Sequence, residues 1–154
     1  MRVPVSPRRA WEVLTDFDHM ASIVSNLESS RITSRQGDSL RVHQEGTARY
    51  GLLSFHFESE REVHLEAMQR IVSRNLSGSA KQIDSEARLR ALDGAVEITY
   101  HAEVVPDSVL ARLFGTAFIR HEVEEQFREM TIEMRRRQDR LGSGVDPRIE
   151  RQPP

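Results

Sequence analysis

Cysteine is absent from the 154 residues, which removes disulfide frameworks, thiol catalysis and cysteine-ligated zinc or iron–sulfur sites together. Long apolar runs are missing as well: nothing approaches the roughly 18 residues that a bilayer span needs, and no signal-like charged and apolar start follows Met1. Charge of one sign is scarce. The net charge is −2 with 30% charged residues, and only the run Arg135 to Arg140 concentrates cations, so a general nucleic-acid footprint is lacking. No G-x-S-x-G elbow, P-loop, dinucleotide fingerprint or H-E-x-x-H occurs. These absences predict a soluble, cytoplasmic protein with no cofactor, no metal, no catalytic set and no nucleic-acid partner. The length suits one domain that buries roughly 70% of its unfolded surface. It is expected over residues 1–141, with the aperiodic Gly/Ser/Pro/Arg stretch 142–154 as a disordered tail.

What the chain does have is one long amphipathic helix after some eighty residues of strand pattern. Val109, Leu113, Ile119, Val123, Phe127, Met130 and Met134 fall at helical spacing from about Ser108 to Leu141. Leu110, Phe114, Ala117 and Phe118 widen that stripe in the first half only. Pro106 and Asp107 or Ser108 supply a start, and Gly142 a stop. At the other end, Ser6-Pro7 caps a short helix to Thr15 with Ala10, Val13 and Leu14 on one face, and Met20 to Val24 makes a second apolar turn.

From Leu27 the period becomes two. Leu40, Val42, Gln44, Gly46, Ala48 and Tyr50 share one face of a strand, and Leu53, Phe55, Phe57, Val63 and Leu65 share one face of its partner across Gly51-Leu52. Arg61 interrupts the inward parity of the second strand. A bulge there is the favoured expectation, because an unpaired buried charge is costly. Further strands read over Ile71 to Leu76, Ile83 to Leu92 and Val96 to Val105, with Asp93-Gly94 between the last two. A meander of about six to seven strands with segregated helices makes an α+β fold, in which a curved antiparallel sheet wraps the long helix and can leave a cavity against it.

The stretch VPVSPRRAWEVLTDFDHMASIVSNLESSRI resembles the opening of the START-like helix-grip superfamily. The likeness is closest to its polyketide cyclase/dehydrase and coenzyme Q-binding COQ10-like branch, through Pro7, Trp11, Val13, Leu14, Thr15, Asp16, Phe17 and Asp18, then Leu27, Ser29, Ser30 and Arg31. VHQEGTARYGLLSFHFESEREVHLE is similar to the central hairpin of that family. The resemblance implies the helix-grip fold and, more loosely, the function. The segment GSAKQIDSEARL departs from it, placing Ala80, Ile83 and Ala87 where large aromatics are usual. Either the pocket is roomier or the packing differs. The first strand also reads as cut short at Met1.

The chemistry-bearing residues are sparse. His43, His56, His64 and His101 sit on the outward parity and read as solvated, and Glu58, Glu60, Glu62 and Glu66 read as a charged strand face. Ser73 and Asn75 have equal claims to cavity and solvent. The candidate pocket comprises Tyr50, Phe55, Phe57, Ile83, Tyr100, Leu110, Phe114, Phe118 and His121. The leading expectation is a carrier for an apolar small molecule, of lipid or polyprenyl quinone type, with transient membrane contact left open. Alternatives are a polyketide cyclase or aromatase using Tyr50, Tyr100 or His121 as proton donors, and a ribosome-associated toxin-like module, for which only the Arg135 to Arg140 run speaks.

Overall fold

The computed structural model describes residues 1–105, 107 and 115–142. Strand β1 (Arg2–Val3) leads into helix α1 (Pro7–Leu14), a 3-10 turn (Phe17–His19) and α2 (Met20–Ile23). Then follow β2 (Leu27–Gln36), β3 (Ser39–Tyr50), β4 (Leu53–Glu66), β5 (Arg70–Gly78), β6 (Gln82–Leu92), β7 (Ala95–Val105) and α3 (Gly115–Gly142). All seven strands form one antiparallel sheet in the order β1-β7-β6-β5-β4-β3-β2. This is the helix-grip arrangement, with the sheet's concave face turned to α3.

Alternation decides which residues meet the helix. Leu40 and Val42 of β3, Val63 of β4, Ile71 of β5, Ala87 of β6 and Ile98 of β7 are buried in one core with Phe127, Met130 and Met134 of α3. On α1, Ser6 accepts the Arg9 N–H at 3.2 Å as N-cap, and Ala10, Val13 and Leu14 close the same core. Asp16 anchors the following turn. Its Oδ2 accepts from Arg137 of α3 at 2.7 Å and its Oδ1 contacts His19 at 2.7 Å.

Several expectations need correction. Gly115, the first residue of α3, has φ +62°, outside the right-handed helical region, and the expected start near Ser108 lies outside the described residues. The helix runs through Gly142, the first residue of the expected tail. Pro106, Ser108, the expected stripe residues Val109, Leu110, Leu113 and Phe114, and residues 143–154 lie outside the described residues. The basic end of α3 is less solvated than its composition suggests, because Arg137 is half-buried between Asp16 and Glu133, at 2.7 and 2.8 Å.

The bulge sits on the other strand. Pairing passes from Glu60↔Ser77 to Arg61↔Asn75, so Leu76 of β5 is the extra residue and stands 42% exposed. Arg61 keeps its inward parity. Ser73 and Asn75 therefore face inward too, and Leu76 loses its claim to the core. His43 occupies the outward face as expected but is only 8% exposed, because Glu45 and Glu60 close over it at 2.8 and 3.3 Å.

Candidate functional site

Two cavities lie between the concave sheet and α3. The hairpin-side cavity, about 220 Å³, is walled by Ala48, Phe55, Phe57, Ile83, Val104 and Phe118, among others. These residues come from the ends of β3 and β7, from the starts of β4 and β6, and from the first turn of α3. The core-side cavity, about 120 Å³, is walled by Phe17, Met20, Val63, Ile71, Phe127 and Met130, with Ser73 and Ser85 on its sheet side. Leu27, Gln44, Arg61, Tyr100 and Gln126 belong to both walls. The cavities therefore abut at Arg61.

Of the residues singled out from sequence, Phe55, Phe57, Ile83, Tyr100 and Phe118 share the hairpin-side wall. Phe118 is the most enclosed, at 5% exposed. Tyr100 stacks at an angle on Phe127, with ring centroids 4.7 Å apart. His121 is not with them: it is exposed and borders surface recesses with Arg120 and Glu124 and with Glu122 and Glu125. Tyr100 and His121 line different recesses, so in none of these does that pair form the convergence that a proton-transfer site requires. The side chain of Tyr50, with Leu110 and Phe114, lies outside the described residues.

The residue that sequence reasoning missed is Arg61. Its guanidinium donates through Nη2 to the Gln44 Oε1 atom, and Gln44 in turn donates to Ser30 Oγ at 3.0 Å. Its Nε is closed off from solvent and has no protein partner, as has Ser73 Oγ. Among the described residues no carboxylate pairs with Arg61. Burial pushes its pKa down, and the nearby Tyr100 acts the other way; a guanidinium nonetheless stays charged at neutral pH. The signal was present in the parity of both Arg61 and Gln44, which lie in register with apolar inward residues.

At the cavity end of α3, Asn26 joins the loop before β2 to the helix. Its Nδ2 donates to Glu122 Oε2 at 2.7 Å, and Gln126 Nε2 donates to its Oδ1 at 3.2 Å. Ser25 N donates to Glu129 Oε2 at 2.9 Å. These bonds hold the loop against α3 next to the hairpin-side cavity.

On the convex face, donor atoms of His43, Glu45 and Glu58 lie within 4.8 Å of one another, and no other trio of His and carboxylate donors gathers so among the described residues. Both His43 ring nitrogens already meet carboxylates. The hydrogen bond to Glu45 raises the His43 pKa; burial opposes it, Glu60 adds to it and the positive charge of Arg31 opposes it. The group reads as an ion-paired histidine. Among the described residues, no helix is long and apolar enough to cross a membrane.

The family model described as "Polyketide cyclase / dehydrase and lipid transport" matches residues 3–131. No curated protein matches the chain. Solved structures share the fold at low identity. A protein of Thermus thermophilus superimposes with TM-score 0.77 at 11% identity, over 89% of this chain and 94% of that one. A START superfamily protein from Mycobacterium smegmatis gives 0.70 at 12%, over 92% and 94%. The Zhui aromatase/cyclase from a Streptomyces species, strain R1128, gives 0.70 at 15%, over 95% and 94%.

Proposed function

The chain belongs to the polyketide cyclase / dehydrase and lipid transport family, and on that premise we propose that it is a carrier for a mainly apolar small molecule held between the sheet and α3. The observation that carries this reading is the hairpin-side cavity, whose walls are built from Phe55, Phe57, Ile83, Val104 and Phe118. Each methylene buried there contributes about 0.8 kcal/mol before ordering costs.

Size limits the ligand. Small-molecule sites usually span about 300–1,000 Å³, and the hairpin-side cavity holds about 220 Å³ with a further 120 Å³ adjoining it. A ring system or the first part of a lipid chain fits; the long tail of a polyprenyl quinone would extend beyond the cavity. The separation of Tyr100 from His121 favours a carrier over a cyclase.

Native mass spectrometry of the purified protein tests the reading, together with titration of the neutral fluorophore N-phenyl-1-naphthylamine. The expected result is a co-purifying apolar molecule or saturable probe binding, and a loss of about tenfold or more in probe affinity for Ile83→Trp, which fills the cavity. Absence of both a co-purifying molecule and saturable binding would sink it.

A further inference from the structure

The concave face of this sheet is not uniformly apolar where the two cavities meet. Ser30, Gln44, Arg61, Ser73 and Ser85 form a polar belt across β2 to β6, linked by Gln44 to Ser30 at 3.0 Å and by Arg61 to Gln44. The belt is incompletely satisfied. Ser73 is 6% exposed and its hydroxyl has no protein partner, and the same holds for Arg61 Nε. A charge in such a setting is costly unless an opposite charge and hydrogen bonds offset it, and Gln44 supplies only one neutral acceptor to a group with five N–H donors.

Register fixes where the missing acceptor belongs. Arg61 pairs with Asn75 and Val63 with Ser73, so Arg61 and Ser73 are diagonal neighbours on one face, roughly 7–8 Å apart at their Cα atoms. A carboxylate spans such a gap with one oxygen toward each donor. The Asn75 side is the wrong side for an anion. Asn75 Nδ2 donates to the Ala80 carbonyl at 3.1 Å, which leaves Oδ1, an acceptor, buried and unpartnered toward the hairpin-side cavity. An anion on Arg61 is therefore drawn toward Ser73 and Ser85, into the core-side cavity. That cavity has room for about four water-sized groups, enough for a carboxylate and the first atoms behind it.

We infer that the ligand is an anionic amphiphile bound head-first, its carboxylate in the core-side cavity on Arg61 and Ser73 and its apolar chain in the hairpin-side cavity. This rests on the carrier reading and adds the ligand's charge and direction to it. Arg61 then discriminates acids from neutral lipids of the same length, because a neutral head leaves the guanidinium and the hydroxyl unpaired.

The test compares dodecanoate with its methyl ester by displacement of N-phenyl-1-naphthylamine at pH about 8, where the acid is ionised. The wild-type protein is expected to prefer the acid by about tenfold or more. In Arg61→Met the acid-to-ester ratio falls to about one, while Arg74→Met, a charge loss on the exposed convex face, keeps the wild-type ratio. If Arg61→Met does not fold, Ser73→Ala decides, with an expected loss of roughly three- to tenfold in the ratio. Equal binding of acid and ester by the wild-type protein overturns the inference and leaves the carrier reading intact. So does an acid preference that survives in Arg61→Met or, where that variant fails, in Ser73→Ala. Binding of neither probe nor lipid removes both.

Discussion

Gly46→Ala tests how tightly the start of β2 is held against β3 beside the cavity. A Cβ at Gly46 would stand 2.1 Å from the Asn26 carbonyl oxygen and 2.7 Å from the tip of the Phe57 ring. The ring can swing, but the carbonyl cannot yield cheaply, because it already accepts the Thr47 N–H at 2.9 Å. Relief requires moving the Asn26 backbone by about 1 Å, since such contacts normally stay beyond about 3 Å. Overpacking of this kind costs about 1–3 kcal/mol, and weakening the Thr47 bond adds about 1 kcal/mol. Replacing glycine within a strand returns about 0.5–1 kcal/mol of backbone entropy. The net expectation is a loss of about 1–3.5 kcal/mol.

For a domain of this length each kcal/mol shifts Tm by about 2–4 °C, so Gly46→Ala should melt roughly 2–14 °C below the wild-type protein in a circular dichroism scan. The same displacement pulls on Asn26, whose side chain holds Glu122 and Gln126 of α3. Affinity for N-phenyl-1-naphthylamine should fall along with stability. A variant that melts at or above the wild-type temperature would refute the reasoning, since entropy would then have won over the clash.

Two further predictions concern charge. Burial acts to raise the Asp16 pKa, but hydrogen bonds from His19 and Arg137 outweigh it and hold the carboxyl below its usual range. That stability is present above pH about 3.9 and is lost as pH falls through the depressed folded value. Asp16→Asn should cost about 1–2 kcal/mol near neutral pH, because it leaves the half-buried Arg137 with Glu133 as its one remaining carboxylate, and urea melts should show the loss shrinking in acid. For His43, raised chiefly by Glu45 with Glu60 adding to it, the sign reverses. Its stabilisation is complete below pH about 6.5 and disappears as pH rises through the elevated folded value. His43→Gln should flatten the stability profile from mildly acidic to alkaline pH, and an unchanged slope would mean that the histidine stays neutral in the folded protein.

The fold was legible because its elements are strongly patterned. Alternation in Leu40 to Ala48 and Phe55 to Leu65, the Ser6-Pro7 start and the Asp93-Gly94 turn each correspond to an observed element or cap. Boundaries were legible only where local chemistry sets them. Gly115 opens α3 with a left-handed backbone angle, which side-chain periodicity does not report. Parity told which face His43 occupies but not that neighbouring carboxylates would cover it, because burial on an outer sheet face depends on cross-strand neighbours that single-strand patterning does not contain.

Arg61 shows the deeper reason that the site was less legible than the fold. Its inward parity was visible, and the general cost of an unpaired buried charge argued it away in favour of a bulge. Both features exist, on different strands. The bulge at Leu76 of β5 shifts the pairing and sets Asn75 opposite Arg61, with Ser73 diagonal to it. The extra residue thus brings an unpartnered hydroxyl within a carboxylate's span of the guanidinium without expelling the charge from the interior. Stability rules predict what a chain minimising its own folding free energy would do. On the proposed reading these rules fail at Arg61 because a bound anion, which the sequence does not encode, supplies part of the compensation.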